Sequence, residues 1–270
     1  YDQGKITKDE YDAAMKESAN MTFVGYTSDR DDEDDNDDGY VQNWYIDELF
    51  YDAQKDLAQY YNISEDAASD KLYTEGLKIY CAMDVRAQEM MENAAQNIDK
   101  SNDPELQIAM TLMGFDGRVI ATVGSSNKKT EALSWDRATE SSLQPGSSIK
   151  PLVAYGPGLD TGAITLASAI DDAPYYYSGT DARLVKNYTE GQYLGYMTVR
   201  EALTRSQNVP AVKVLTQITP SVGFSYLEKF GLSTLVSTKN AINGNHDVVQ
   251  SLALGGMTKG VCNIDMTAAY

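Results

Sequence analysis

Within Leu143-Gln-Pro-Gly-Ser-Ser-Ile-Lys-Pro-Leu152 a serine and a lysine stand three residues apart, directly after a Pro-Gly breaker. Pro145 and Gly146 end an irregular segment, and the residues after them read as the start of a helix. Positions i and i+3 share a helical face, so the spacing predicts that the Ser147 hydroxyl and the Lys150 amine meet across one turn. Serine is a weak nucleophile near neutral pH and needs a neighbouring base. Lysine can be that base once burial and nearby positive charge hold it neutral. A helix N-terminus favours the developing alkoxide, and Pro151 falls in the first turn, where a missing N–H costs least. The pair points to acyl transfer through a serine ester.

Spacing alone is cheap, since a Ser-x-x-Lys turns up about once in any chain of this length. It recurs at Ser125/Lys128 and Ser126/Lys129, and Ser-x-Asn occurs at Ser18, Ser125 and Ser206. Context separates the copies. Ser125 to Thr130 reads as a polar turn with no apolar helix behind it, so its lysines are expected to stay solvated. Ser18 falls at a helix end. Ser206-Gln-Asn208 follows the amphipathic run Met197 to Leu203 and meets a break at Pro210. That places it in a short connection between two buried helices, where rigid elements hold a loop for function. A Ser-His-Asp triad is disfavoured: His246 is the single histidine, in an expected exposed loop, and there is no Gly-x-Ser-x-Gly elbow. Cys81 and Cys262 read as small buried hydrophobes with no metal spacing. Gly255-Gly256 reads as a close backbone approach, and Tyr175 to Tyr177 receive no role. Neither a metal nor a cofactor is expected.

The positioning elements follow from periodicity and capping. Thr7 to Glu10 is a capping box opening a short helix toward Lys16. Asp29 to Asp38 is nearly all acidic, and Asp34, Asn36, Asp38 and Gly39 match the opening of a calcium loop, but the closing position is Tyr45, so a solvated loop is expected. Helical spacing from Trp44 to Tyr60, a Ser64-capped helix to about Gly76, and an Asp84-capped helix to Ile98 follow. Leu77 to Ala82 alternates like a strand. Leu106 to Phe115 and Arg118 to Val123 flank Asp116-Gly117, the pair preferred by a two-residue type I′ turn. Helices are expected at 163–170, 198–203, 211–218 and the last few residues. Strands and helices in blocks, without regular alternation, give an α+β class.

The 270 residues carry a net charge of −18, which excludes a nucleic-acid partner, since phosphate binding needs Lys and Arg clusters. No apolar run is long enough to span a membrane and no signal peptide is seen. The chain reads as starting and stopping inside structure.

Taken in order, GLKIYCAMD (76–84), QPGSSIKPL (144–152), SQN (206–208) and LALGGMTKGV (252–261) resemble the transpeptidase region of class A, bifunctional penicillin-binding proteins. The resemblance implies a penicillin-binding-protein/β-lactamase-like fold, an antiparallel sheet flanked by helices, incomplete at its C-terminal end. It divides the chain into the tail of a preceding region (1–39), a linker region (40–104) and the first part of a transpeptidase domain (105–270). It implies a peptidoglycan D,D-transpeptidase in which Ser147 attacks a D-Ala-D-Ala stem peptide, Lys150 takes the serine proton, Ser206 relays a proton and Asn208 binds the substrate amide. β-Lactams would acylate Ser147, and the full-length protein would be membrane-anchored on the extracytoplasmic face. The sequence holds no Lys-Thr-Gly or Lys-Ser-Gly triplet. The family uses that triplet as a substrate-carboxylate site and oxyanion donor, so the chain is expected to end before it and not to turn over by itself. The alternatives are a β-lactamase or D,D-carboxypeptidase of the same superfamily, and a non-catalytic β-lactam sensor or scaffold.

Overall fold

Three side-chain caps start the helices that open the described part of the chain. The computed structural model describes Lys8 and residues 41–179, 182–189 and 191–270; the capping box at Thr7, Ser18 and the acidic run lie outside the described residues. Asn43 Oδ1 accepts from Ile46 N–H at 2.9 Å and opens α1 (Trp44–Tyr61). Ser64 Oγ accepts from Ala67 N–H at 3.2 Å and opens α2 (Glu65–Thr74). Asp84 Oδ1 accepts from Ala87 N–H at 2.9 Å and opens α3 (Val85–Gln96).

Helix α3 packs on a hairpin of β1 (Met110–Met113) and β2 (Val119–Val123), antiparallel with Met110 opposite Val123. Buried Gln88 reaches from α3 to the free edge of β2, donating to Thr122 O at 2.7 Å and accepting from Thr122 N–H at 2.9 Å. A side-chain amide thus occupies the pairing positions of a further strand and closes that edge. The turn differs from the expected type I′. Gly114 O accepts from Gly117 N–H at 2.9 Å and Gly114 N–H donates to Arg118 O at 2.9 Å. Gly117 has a positive φ of 82° while Asp116 stays at negative φ. The turn is therefore the longer form ending in a left-handed glycine.

Residues 77–82 form no strand. Leu77, Ile79 and Tyr80 are exposed, and the segment joins the hairpin only as it ends, where Asp84 N–H donates to Ile120 O at 3.0 Å. An alternating pattern makes a strand only where a partner edge is open, and Gln88 already occupies part of this one. Cys81 is accordingly exposed, against expectation, whereas Cys262 is buried.

A larger core is built around a helical run. Gly146–Ile149 is a 3₁₀ turn, Pro151–Tyr155 a π-helical turn and α4 spans Gly156–Asp160. The expected helix at 163–170 is not formed; β3 (Ala169–Asp172) lies there instead, paired antiparallel with β4 (Gly195–Thr198). Its partner lies well downstream in sequence, a pairing that a local window does not register. Then come α5 (Val199–Thr204), α6 (Asn208–Ile218), α7 (Pro220–Lys229), a 3₁₀ segment (Gln250–Leu254) and α8 (Asn263–Ala269). Apolar α6 is the centre: Val209, Val212 and Leu215 are fully buried against Ile149, Val153 and Leu252. Truncating one of these side chains costs about 2–5 kcal/mol. Among the described residues, helices with two small antiparallel sheets make the class α+β, as the sequence implied.

Candidate active site

The Lys150 side chain is carried into this core by the join between the 3₁₀ and π turns, and only 1% of the residue stays exposed. Its amine has three partners: Ser206 O at 2.6 Å, Asn208 Oδ1 at 2.6 Å and Ser206 Oγ at 3.2 Å. No described carboxylate forms an ion pair with it. Burial, uncompensated by a counter-charge, lowers the amine from its usual 10.5 to about 8. The positive end of the α6 dipole, at Asn208, acts in the same direction. Roughly a tenth of the amine is therefore neutral at pH 7.

Counting donors fixes what that neutral form does. A neutral amine has two N–H groups and one lone pair. The Ser206 carbonyl can only accept. Asn208 also presents its oxygen, because its Nδ2 is committed to Lys186 O at 2.7 Å. These two acceptors take both N–H groups, leaving the lone pair for a hydroxyl.

The backbone holds Ser206 in an unusual state. Helix α5 ends with Ser206 N–H on Leu203 O at 2.9 Å and Gln207 N–H on Ala202 O at 3.0 Å, the bonding of a Schellman cap. Its left-handed position is normally glycine. Here it is Ser206, with a positive φ of 52°. Keeping a side chain at that position costs about 1 kcal/mol and brings the hydroxyl to the amine.

Ser147 sits one 3₁₀ turn before Lys150, and i and i+3 eclipse in such a turn. Its side chain is exposed and its hydroxyl makes no hydrogen bond among the described residues; its carbonyl accepts the Lys150 N–H. The structure thus brings Lys150, Ser206 and Asn208 into direct contact, whereas the expected meeting of the Ser147 hydroxyl with the Lys150 amine is not made as a hydrogen bond. The segment bearing Ser147 is braced from behind. Gln144 and Met257 exchange two hydrogen bonds at 2.6 and 2.8 Å, and Gly255, with a positive φ of 80°, lies against Gly146. A Cβ on Gly255 would stand 2.4 Å from Gly146 N, so the glycine pair permits the close backbone approach read from the sequence.

Two residues absent from the sequence reading complete the site. Asn187 Oδ1 accepts from Asn208 N–H at 3.0 Å and Val209 N–H at 3.3 Å, capping α6 from a distant segment. Asp172, fully buried, holds the Asn187 amide. No local pattern marks Asn187, whose partner lies far along the chain; the polar Asp171-Asp172 pair beside the apolar run 163–170 was the available signal.

The second Ser-x-x-Lys also departs from expectation. Ser125 and Ser126 are buried, with hydroxyls donating to Gln107 Oε1 at 2.7 Å and Leu106 O at 2.8 Å. The Lys129 side chain is 7% exposed and ion-paired to Asp47 at 2.6 Å. Folding against α1 buries the two serines and the Lys129 side chain, a tertiary effect outside the local sequence, while Lys128 stays exposed as expected. His246 is half-buried, its Nδ1 accepting from Val248 N–H at 3.2 Å. Among the described residues no group of acidic, His or Cys side chains could hold a metal, and no helix is long and apolar enough to cross a membrane.

Comparison with known proteins gives the family. The chain is similar to penicillin-binding protein 1A of Clostridium tetani, 33% identical over 246 residues covering 84% of this chain and 30% of that protein. It is 30% identical to penicillin-binding protein 1A of Clostridium botulinum, over all of this chain and 33% of that protein. It therefore spans about a third of the length of these curated relatives. The PonA1 protein of Mycobacterium tuberculosis, solved in complex with penicillin V, shares the fold with a TM-score of 0.65 and 22% identity over 83% of this chain and 57% of that one. Residues 109–270 match the penicillin binding protein transpeptidase domain, and the chain belongs to that family.

Proposed function

We propose that this chain carries the acyl-transfer centre of a peptidoglycan D,D-transpeptidase of the class A type, with residues 40–104 as linker and 105–270 as transpeptidase domain. The observation that carries the reading is the Lys150 amine, buried without a counter-charge and held by neutral acceptors at its Ser206 and Asn208 partners. An amine so placed can lose its proton near neutral pH and act as a base.

Ser147 Oγ attacks the carbonyl carbon of the penultimate D-Ala while its proton passes to Lys150 Nζ. The peptide C–N bond then breaks, and the proton reaches the departing D-Ala amine through Ser206 Oγ. The ester on Ser147 is attacked by the amine of a second stem peptide. That amine's proton returns through Lys150, the ester C–O bond breaks and the Ser147 hydroxyl is restored. Asn208 keeps the base and the relay hydroxyl in register and offers the substrate the Nδ2 N–H that Lys186 O does not use. A β-lactam enters as the donor peptide does and stays as a slow ester. A peptidoglycan substrate calls for a site on the extracytoplasmic face, and the reading includes the membrane anchor that the resemblance implies for the intact protein.

The test is labelling of the intact protein with a fluorescent penicillin, beside Ser147→Ala. Labelling of the native protein that is absent from Ser147→Ala supports the reading. Equal labelling of both would sink it.

A further inference from the structure

Asp172 and Asn187 form a hydrogen-bonded chain whose polarity has one solution. Asp172 is 0% exposed and has no described cation as an ion-pair partner. Its oxygens accept from Asn187 Nδ2 at 2.9 and 3.1 Å and from Leu194 N–H at 3.0 Å. Both Asp172 oxygens act as acceptors, so the NH₂ side of Asn187 must face them. Asn187 Nδ2 also donates to Gln192 O at 3.1 Å, which reinforces the same orientation. The amide oxygen is thereby turned toward the two free N–H groups that begin α6, those of Asn208 and Val209. The preceding residue supplies the second hold: Lys186 O accepts from Asn208 Nδ2 at 2.7 Å, which turns Asn208 Oδ1 to the Lys150 amine. Both holds meet at Asn208, one on its backbone N–H and one on its side chain, and reversing either amide sets donor against donor.

We propose that Asp172 and Asn187 are positioning residues for the Lys150 amine, acting by hydrogen-bond polarity through the 186–187 segment and Asn208. The proposal rests on Lys150 being the base and deepens that reading. It predicts that polarity, not shape, matters at both positions, which isosteric exchanges can separate. In Asn187→Asp the Nδ2 donor is lost, and two carboxyl groups face each other and Gln192 O. In Asp172→Asn one amide N–H is set against another, while the remaining oxygen still accepts from Leu194. In the double exchange the amide at position 172 donates to the carboxylate at 187, which still accepts from Asn208 and Val209. The chain is whole again in mirror polarity, apart from the bond to Gln192.

The experiment measures the rate at which a fluorescent penicillin acylates the intact native protein, both single variants, the double variant and Ser147→Ala, with thermal unfolding of each. In parallel, the ¹³Cε signal of Lys150, identified by its loss in Lys150→Arg, is titrated by NMR. Asn187→Asp is expected to be slower by at least about tenfold, Asp172→Asn to fall between it and the native protein, and the double exchange to return to within about threefold. The Lys150 midpoint is expected to move in Asn187→Asp and to return in the double exchange, which a merely packed pair would not produce. A double exchange no faster than Asn187→Asp, or Asn187→Asp acylated at the native rate, overturns the proposal. If Asn187→Asp does not fold, the double exchange decides alone: folded and fast supports the chain, slow or unfolded refutes it. Should Ser147→Ala label like the native protein, the acyl-transfer reading fails, and the Lys150 titration still judges the positioning chain.

Discussion

Two buried lysines, each three residues after a serine, meet opposite fates in this molecule. Lys129 is ion-paired to Asp47 at 2.6 Å, with the Trp44 ring 5.5 Å from its amine. Lys150 is at least as deeply buried, yet its partners are a carbonyl, an amide oxygen and a hydroxyl, all neutral. An ion-paired ammonium offers donors and no lone pair. An amine among neutral acceptors bears the full cost of desolvation, and that cost is what moves it to about 8. Burial alone therefore does not make a basic lysine; burial without a carboxylate does. The partner serines differ in the same sense, since the Ser126 hydroxyl is committed to Leu106 O at 2.8 Å while Ser147 is open.

Exchanging each lysine for methionine sharpens the contrast most. Lys150→Met is expected to slow acylation by a fluorescent penicillin on the order of a thousandfold while the protein stays folded. Lys129→Met is expected to leave the acylation rate of the folded protein unchanged and to lose about 3–5 kcal/mol in urea unfolding, because Asp47 is left buried and unpaired. The reverse assignment of effects would break the comparison.

The pH dependence of stability gives a smaller effect of opposite sign in the two regions. Near Lys129, burial raises Glu48 to about 7, and raises Asp136 to about 6. The folded state binds more protons than the unfolded one there, so these groups favour folding in acid, and that contribution is lost as pH rises from about 4 through 6 to 7. For Lys150 the folded value lies below the unfolded one. Between about 8 and 10.5 the unfolded chain binds the extra proton, and stability rises with pH. Urea midpoints across the range from acid to alkaline pH should show both limbs. Glu48→Gln should flatten the acid limb and Lys150→Met the alkaline one; an unchanged alkaline limb in Lys150→Met would show that Lys150 is not the group responsible.

The smallest effect concerns the cap. Ser206→Gly is expected to stabilise the fold by about 1 kcal/mol, by relieving a left-handed side chain, while slowing acylation through loss of the hydroxyl. Stabilisation with undiminished acylation would remove Ser206 from the chemistry.

The capped helices from Trp44, Glu65 and Val85, the apolar α6 and the hairpin around Gly117 were legible because caps, periodicity and turn residues act over a few neighbours. Residues 77–82 and 163–170 were misread for the same reason. Whether a short apolar stretch becomes strand, helix or open chain depends on a partner elsewhere, here Thr198 opposite Ala169. At the site, the types and order of Ser147, Lys150, Ser206 and Asn208 could be read from local context, but Asn187 and Asp172 could not.

The sequence by itself determined which groups could serve as nucleophile, base and relay, because chemical identity belongs to the side chain. Only the tertiary structure decided which lysine is free of a counter-charge, which serine is open and which way each amide faces. Those properties depend on dielectric and hydrogen-bond partners, and folding draws the partners from segments far apart along the chain.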